Sequence, residues 1–299
     1  MPKSYTVEDD YTDSRLDKWF LQNVIKLPHS LIEKIIRQNK IKVNKKKTKS
    51  SYRLQIGDLI EIYDISKFKP INKDKKIKYI PKKKEIGEYN DYVIEDNEDF
   101  IVVNKPTGIP VQSGTKSFKN IIDIIKNTKY FKDLKPFIVH RIDKETSGIL
   151  IIAKNRKSAQ LFTTLFRIRK IHKTYLALVY GKVDKSIKTM RDTLVYYENN
   201  KKIIQKAVCN IKIIKSNDEY SYLELNPITG RKHQLRKQLL NIGNPIVGDD
   251  KYFINNIKRI KTKALMLHAY KIKFMINNVQ FNFKANYNNL FQEFLKKNI

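Results

Sequence analysis

Short runs of strand-forming residues, separated by polar turns, occupy most of the chain after Tyr92. Helical spacing is found there at residues 119–127, in a leucine stripe made by Leu235, Leu239 and Leu240, and in an apolar stripe at residues 290–295. Apolar runs bounded by turn residues are typical of strands. This part of the chain is therefore predicted to be an α+β fold on a large, mainly antiparallel mixed sheet with flanking helices. The strands are predicted at residues 99–104, 137–140, 149–153, 173–181, 271–276 and 279–283.

Residues 14–65 have a different order of elements and are predicted to form a small domain of their own. Apolar residues recur at helical spacing twice, and short alternating strands follow from residue 41 to residue 62. The second helix is expected to begin at a capping box made by Ser30 and Glu33. Basic residues crowd this helix and the strand after it, which indicates a surface for an anionic partner.

Residues 66–90 are rich in lysine, contain two prolines and show little periodicity. Like charges repel and proline favours an extended backbone, so this segment is predicted to be an extended linker. A solvated linker is the preferred interpretation, and it is compatible with a role as an RNA-binding arm. Residues 91–299 then form the second, larger domain.

The chain has 61 Lys and Arg against 30 Asp and Glu, a formal net charge of +31 over 299 residues. This excess favours a polyanionic partner. Most of the cations are lysines, as an AT-rich genome would encode in any protein. The eleven arginines are therefore the stronger indicator of function, because only guanidinium offers a planar bidentate fork.

A single cysteine, Cys209, excludes an intramolecular disulfide framework and a cysteine-based zinc cluster. No apolar run approaches the roughly 18 to 20 residues that a membrane span needs. The first residues are too acidic for a transit peptide and too polar for a signal peptide. The expected location is the cytoplasm, without membrane association.

The strongest local signal is the polar segment HRIDKETSG at residues 140–148, which lies between two apolar runs. It places a carboxylate, Asp143, near a cation, Arg141, on a rigid support. A reaction that needs an ionised and positioned carboxylate would use such an arrangement. A charged turn with a local salt bridge is an equally good interpretation of this segment by itself.

Two further segments combine turn residues with polar side chains. In residues 226–236, NPITGRKHQLR, a proline and a glycine mark a turn that leaves Arg231 and Arg236 near the start of a helix. Two arginines there would bind phosphate or pair with a buried carboxylate, although a basic helix start on a basic protein is the alternative. Residues 104–111, NKPTGIPV, are predicted to be a rigid structural loop.

Together these segments resemble the RluA-type pseudouridine synthases. The signature HRIDKETSGILIIAKN and the blocks NKPTGIPVQSG, KTYLALVYG, PITGRKHQLRKQLLNIGNPIVGDDKY and LMLHAYKI follow the family's order. Residues 14–62 resemble the alpha-L RNA-binding motif that several of these synthases carry. Within the family, the segment VNKK at residues 43–46 and the spacing of Arg53, Gly57 and Asp58 look most like the RluC branch.

The resemblance implies isomerisation of uridine to pseudouridine in RNA, with neither a cofactor nor a metal. Asp143 matches the catalytic aspartate, which attacks C6 of the uracil or C1′ of the sugar in a flipped-out nucleotide. Arg236 matches the basic residue that pairs with this aspartate. Tyr175 matches a tyrosine that stacks on the uracil and is a candidate acceptor of the C5 proton. Arg141 matches the arginine that supports the extruded nucleotide or fills the gap it leaves.

The implied substrate is large-subunit ribosomal RNA, free or in a pre-ribosomal particle, at a loop rather than in a regular A-form helix. The alpha-L domain would add a second RNA contact and raise the local substrate concentration. The chain is expected to act as a monomer. The residues predicted to bind RNA in this domain are Arg15, Lys34, Arg37, Lys40, Lys42 and Lys45.

One departure from the family pattern is Gln238, which stands where a histidine is usual and puts any role of that histidine in doubt. His140 and His233 are interpreted as structural hydrogen-bonding residues rather than metal ligands.

Two other functions are weighed against the isomerase. A non-catalytic RNA-binding or ribosome-assembly factor is disfavoured because Asp143, Tyr175 and Arg236 are all intact. A glycoside hydrolase is disfavoured because the only carboxylate near Asp143 is Glu145, which is more consistent with a turn residue than with a second acid–base group.

Overall fold

The computed structural model divides the chain into two compact units, Met1–Lys78 and Tyr79–Ile299. The residues it describes are 2–65, 67–68, 79–113, 118–132, 134–198, 201–255, 257, 260, 262 and 264–299. Much of the predicted linker, residue 66 and residues 69–78, lies outside the described residues. Over the described part of the chain, no helix combines the length and the apolar character needed to cross a membrane.

The N-terminal unit combines two helices with a four-stranded sheet. Its elements are β1 (Lys3–Thr6), α1 (Leu16–Asn23), α2 (His29–Arg37), β2 (Ile41–Val43), β3 (Lys46–Lys47) and β4 (Leu59–Ile62). The sheet order is β1-β4-β2-β3, with antiparallel pairings. Buried residues recur every three or four positions along both helices, so one face of each helix joins the core of this unit.

The predicted capping box at the start of α2 is wrong. The helix begins at His29, and Pro28 is its N-cap, without a side-chain cap. The backbone N–H groups of Leu31 and Ile32 both donate to the carbonyl of Pro28. Because proline has a fixed φ and no N–H, it is well suited to the residue that precedes the helix. Ser30 therefore lies inside the first turn, where its side chain is not the cap.

The C-terminal unit is built on a ten-stranded sheet with five helices in the described residues. The strands are β5 (Val93–Asp96), β6 (Phe100–Lys105), β7 (Phe137–Ile138), β8 (Ser147–Ala153), β9 (His172–Tyr180), β10 (Thr189–Glu198), β11 (Lys201–Ser216), β12 (Tyr220–Pro227), β13 (Leu267–Ile276) and β14 (Val279–Lys284). The helices are α3 (Lys83–Asn90), α4 (Ile121–Ile125), α5 (Arg156–Arg167), α6 (Gln234–Asn241) and α7 (Asn289–Asn298).

The order of eight strands in this sheet is β10-β11-β12-β9-β13-β8-β6-β5, with β14 paired to β13 and β7 paired to β8. Among the pairings of the described residues, only the short contact of β13 with β8 is parallel. The predicted α+β class with a large, mainly antiparallel sheet is therefore confirmed.

Helix α3 shows that the last part of residues 66–90 is not an extended linker. Tyr89 is buried in the core of the C-terminal unit. The carboxylate of Glu85 accepts a hydrogen bond from the backbone N–H of Lys82 and contacts the side chains of Tyr79 and Lys119. The burial of one aromatic ring and the capping by Glu85 stabilise a helix that the lysine-rich composition did not indicate.

Strand β8 is buried along its whole length and supports the polar segment that precedes it. Leu150 and Ile152 point into one core cluster, whereas Ile149 and Ile151 point into another. Alternate side chains of a strand lie on opposite faces, so both faces of the sheet are covered here. Burial of each such side chain contributes roughly 1.5–3 kcal/mol, which makes β8 a rigid base for residues 140–146.

Candidate active site

A cleft of about 1050 Å³ lies in the C-terminal unit beside the start of β8. Asp143 is the single carboxylate among the described residues that line it. Eight cations line the same cleft: Arg141, Lys144, Arg167, Arg169, Lys173, Arg231, Lys232 and Arg236. Five of the eleven arginines of the chain are therefore in one cavity. This charge distribution suits a polyanion whose reacting group meets one carboxylate.

The turn that carries Asp143 is held from below by the loop at residues 104–111. The backbone N–H of Gly108 donates to the carbonyl of Lys144 at 2.9 Å, and the hydroxyl of Thr107 donates to the carbonyl of Glu145 at 2.6 Å. The predicted rigid loop therefore fixes the backbone of the two residues that follow Asp143.

Lys105 is a residue of this support that the sequence analysis missed. Its side chain is fully buried, and its ammonium donates to the carbonyls of Pro106, Ile109 and Lys144 at 2.8, 2.9 and 3.1 Å. Burial lowers the pKa of Lys105 to about 7, although the charges of Glu145 and Asp143 act in the opposite direction. The available signal was a lysine that ends an apolar strand immediately before a proline.

Arg236 is near Asp143, as predicted, but its principal partner is a different carboxylate. Its Nε and Nη2 donate to Oδ2 and Oδ1 of Asp249 at 2.7 and 2.6 Å. Its Nη1 lies 3.9 Å from Oδ2 of Asp143. Asp249 is only 3% exposed, so a buried bidentate pair orients the guanidinium and leaves one edge toward Asp143.

The charge of Arg236 is maintained by this pairing. Burial acts to lower the pKa of Arg236, but the hydrogen bonds and charge of Asp249, with the charge of Asp143, raise it above its ordinary value. Asp249 also accepts hydrogen bonds from the backbone N–H groups of Lys251 and Tyr252, both at 2.9 Å. The signal that could have identified Asp249 was the pair of aspartates in the block NIGNPIVGDDKY.

His233, which the sequence predicts to be a structural hydrogen-bonding residue, lies beside Asp143 in the cleft. Its Nε2 lies 3.9 Å from Oδ1 of Asp143, and its Nδ1 is 3.0 Å from the hydroxyl of Tyr252. Burial, helped by the charge of Arg236, lowers the pKa of His233 against the effect of Asp143. The ring is therefore neutral at neutral pH and contributes a polar contact rather than a second cation.

His140 is a hydrogen-bond acceptor beneath the cleft. Its Nε2 accepts from the backbone N–H of Ile151 at 2.8 Å, and its ring stacks on Phe166 with centroids 4.7 Å apart. Burial, with a smaller effect from the charge of Lys173, lowers the pKa of His140 to about 3. A neutral acceptor that holds β8 in place accounts for this histidine.

The remaining predicted residues of the C-terminal unit also line the cleft. Tyr175 belongs to β9, where burial and then the charge of Asp143 raise the pKa of its phenol. Arg141 is exposed at the rim, two residues before Asp143. The structure therefore places Asp143, Arg141, Tyr175 and Arg236 around one cavity, although Tyr175 and Arg236 are remote from the other two along the chain.

Gln238 is not part of the cleft. It is fully buried in α6 and donates to Oδ2 of Asp192 at 2.7 Å. Its carbonyl oxygen accepts a hydrogen bond from Gln234 at 3.0 Å. The residue at this departure from the family pattern therefore connects α6 to β10.

In the N-terminal unit, the six predicted RNA-binding residues differ in how available their charges are. The guanidinium of Arg15 is held by the buried carboxylate of Asp17, at 3.1 and 2.5 Å. Lys40 is 3.6 Å from the carboxylate of Asp64, and Lys42 lies over the ring of Tyr63. The exposed residues are Lys34, Arg37 and Lys45.

Two family models and several curated relatives match this chain. Residues 99–241 match the family described as RNA pseudouridylate synthase, and residues 14–60 match the S4 domain. The ribosomal large subunit pseudouridine synthase C of Rickettsia felis is 36% identical over 275 residues, which are 87% of this chain and 88% of that relative. The protein of the same name from Buchnera aphidicola subsp. Schizaphis graminum is 32% identical over 287 residues, which are 90% and 88% of the two chains.

A solved structure shares the fold. Human RNA pseudouridylate synthase domain containing 4 aligns with a TM-score of 0.61 and 24% identity, over 71% of this chain and 94% of that chain.

Proposed function

This chain belongs to the RNA pseudouridylate synthase family, and from that membership we propose that it modifies uridines of large-subunit ribosomal RNA with Asp143 as the catalytic carboxylate. The observation that carries the proposal is the lone carboxylate in a cleft lined by eight cations. The cations suit the phosphates of an RNA strand, and the carboxylate is the one acidic group that a bound nucleotide would meet among the described lining residues.

The reaction is an isomerisation, so no atom is gained or lost. The bond between N1 of uracil and C1′ of the ribose breaks, the base turns, and C5 joins C1′. C5 then loses its proton and N1 gains one, so the formula is unchanged. Asp143 is the nucleophile that starts these steps. Asp249 orients the guanidinium of Arg236, and the Nη1 edge of that guanidinium stabilises the negative charge of Asp143. Its 30% side-chain exposure leaves room for the sugar and base to approach.

The charge state of Tyr175 favours one of its two expected roles. A phenol whose pKa is raised by burial and by Asp143 stays protonated, which makes it a poor acceptor for the C5 proton. The same neutral ring is suited to stacking against uracil. We therefore assign Tyr175 to positioning of the flipped base, with Arg141 at the rim supporting the RNA from which the base has left.

The N-terminal unit supplies a second RNA contact in this proposal. Lys34, Arg37 and Lys45 are exposed and provide its main phosphate contacts, whereas Lys40 and Lys42 contribute at its edge. Arg15 serves chiefly to hold Asp17. The enzyme acts as a cytoplasmic monomer, on free ribosomal RNA or on a pre-ribosomal particle.

The test is the substitution Asp143→Asn, which keeps the size of the side chain and removes its charge. Pseudouridine formed in ribosomal RNA should fall by roughly a thousandfold or more, because a group that acts as nucleophile has no substitute. Carbodiimide labelling of the RNA measures the product, and a filter-binding assay should show RNA affinity within a few-fold of wild type.

Glu145→Gln is the matched control, because this nearby carboxylate is 45% exposed and lies 3.9 Å from Lys144. It should retain the activity. Full activity of Asp143→Asn would refute the assignment, and a wild-type protein that binds the RNA without forming pseudouridine would support the assembly-factor alternative instead.

A further inference from the structure

The long hairpin made by β10 and β11 has a face that the catalytic cleft does not account for. Residues 189–198 pair in continuous register with residues 201–210, without a bulge. Alternate side chains therefore lie on opposite faces of the hairpin. Strand β10 is at the edge of the ten-stranded sheet.

One face of the hairpin packs on α6. Leu194 and Ala207 are buried there, and the carboxylate of Asp192 accepts hydrogen bonds from Gln238 and Asn241. This face is already used in the fold.

The opposite face combines exposed apolar groups with cations. Tyr197 is 73% exposed, Ile204 is 60% exposed and Val195 is 41% exposed. We call this surface the hairpin face, and its residues are Arg191, Thr193, Val195, Tyr197, Lys202, Ile204, Lys206, Val208 and Asn210. None of these residues is acidic.

The hairpin face begins at the catalytic cleft. Asn210, at its base, lines the cleft. Arg231 also lines the cleft, and its Nε donates to the backbone carbonyl of Lys206 at 3.2 Å. One shared lining residue and one hydrogen bond therefore connect this surface with the catalytic cleft.

We propose that the hairpin face binds unpaired nucleotides that flank the target uridine, an inference that rests on the proposed function. Lys202, Lys206 and Arg191 provide phosphate contacts, and bases stack on the ring of Tyr197 beside the apolar surface of Ile204. Cations interleaved with an exposed aromatic ring, without a carboxylate, are complementary to single-stranded RNA.

The length of the hairpin defines the RNA segment. From Asn210 to Lys202 the strand rises by about 26 Å at ~3.3 Å per residue. At the ~3.4 Å rise per nucleotide of a stacked strand, this corresponds to about eight nucleotides.

The experiment compares three RNA stem-loops that present a target uridine in the loop, one without an extension and two with an eight-nucleotide single-stranded extension at the 5′ or the 3′ side. The full chain and two double variants, Tyr197→Ser with Ile204→Ser and Lys202→Ala with Lys206→Ala, are titrated with each RNA by fluorescence anisotropy. The matched control is Lys296→Ala with Lys297→Ala, which removes two exposed lysines of α7.

One extension should tighten binding to the wild-type chain by about tenfold, and both hairpin variants should lose that gain while the control keeps it. The lysine variant should also reduce the slope of log K against log salt by about 1.4, since each phosphate contact to a single strand contributes ~0.7. Single-turnover pseudouridine formation at saturating RNA should stay within about twofold of wild type in every variant.

Equal affinity of wild type and hairpin variants for all three RNAs would overturn the proposal. A second result would also overturn it: sedimentation that shows a dimer for the wild type and a monomer for the Tyr197→Ser, Ile204→Ser variant. The hairpin face would then be covered by a second copy of the chain. Failure of the wild type to form pseudouridine would instead count against the proposed function, since the affinities are measured independently of the chemistry.

Discussion

Arg236 meets two carboxylates that differ in accessibility, and this difference separates their roles. Asp249 is nearly inaccessible and takes both of the short hydrogen bonds. Asp143 is 30% exposed and lies 3.9 Å from the third nitrogen. A carboxylate that is satisfied by a bidentate pair is a poor nucleophile, so the looser contact is the one compatible with attack on the substrate.

The substitution Asp249→Asn should therefore affect both stability and catalysis. Removing one partner of a buried ion pair leaves the other charge uncompensated, which costs about 3 kcal/mol or more. Urea denaturation should show this loss, and kcat should fall at least tenfold because Arg236 loses its orientation. The control is Asp250→Asn, at the adjacent exposed position, which should change the unfolding free energy by less than about 1 kcal/mol. Equal effects of the two substitutions would contradict the role given to Asp249.

His140 predicts a pH dependence of stability. Its pKa is about 3 in the folded chain against an ordinary value of 6.5. The unfolded chain therefore binds the proton first as the pH falls below 6.5, so the stabilisation is complete above 6.5 and is lost progressively toward pH 3. In this window the free energy of unfolding falls by about 1.4 kcal/mol for each unit by which the pH is lowered, because unfolding takes up one proton.

His140→Gln retains an oxygen acceptor for the N–H of Ile151 and removes the titration. Unfolding free energies measured by urea from pH 8 to pH 4.5 should fall less steeply below pH 6.5 in the variant. The slopes of the two proteins should coincide above pH 6.5. A wild-type slope that is no steeper than that of the variant below pH 6.5 would show that His140 is not a buried neutral acceptor.

At the scale of elements, the site depends on where β8 meets β13. Gly148 has a φ of +107°, and a Cβ there would lie 2.3 Å from the carbonyl oxygen of Ala269. The two strands are parallel only at this contact. A glycine is required because the backbones approach too closely for any side chain, and the approach fixes the turn that carries Asp143.

Gly148→Ala should consequently destabilise the chain by more than about 3 kcal/mol, because a backbone atom cannot move aside as a side-chain end can. Gly243→Ala is the comparison, since Gly243 also has a positive φ but has no atom within 4 Å of the added Cβ. It should cost about 1–2 kcal/mol, the strain of a left-handed residue alone. Thermal unfolding would distinguish the two, and similar shifts in Tm would show that the close approach is not rigid.

Helix α6 illustrates how an element can be predicted while its attachment is not. The leucine stripe after the turn at residues 226–233 indicated the helix, and the structure places it at Gln234–Asn241. Its connection to β10 through Gln238 and Asp192 joins residues that are 46 positions apart. Side-chain partners at such separation leave no periodic pattern in the sequence.

At the scale of the whole molecule, the chain combines a catalytic unit with a small unit that has its own core of buried residues. A tethered binding unit raises the local concentration of the substrate without entering the chemistry. Deleting residues 1–65 should therefore raise the Kd for ribosomal RNA at least tenfold and leave the single-turnover rate at saturating RNA within about threefold. Anisotropy and rapid-quench kinetics on the truncated chain test this, and a collapsed rate with unchanged affinity would place the small unit in catalysis.

The family, the sheet-rich fold and the position of Asp143 after an apolar strand could all be predicted from the amino-acid sequence, because short contiguous patterns carry them. Predictions from local sequence failed where contacts with other residues determine the conformation. The second helix starts after Pro28 rather than at Ser30, and residues 83–90 form a helix because Tyr89 is buried in the core. No sequence pattern indicates that Asp249 orients Arg236, that Lys105 is buried beneath the turn or that five arginines line one cleft; these features are visible in the folded chain. Those outcomes depend on distances between remote residues after folding, and such distances are set by packing of the whole sheet.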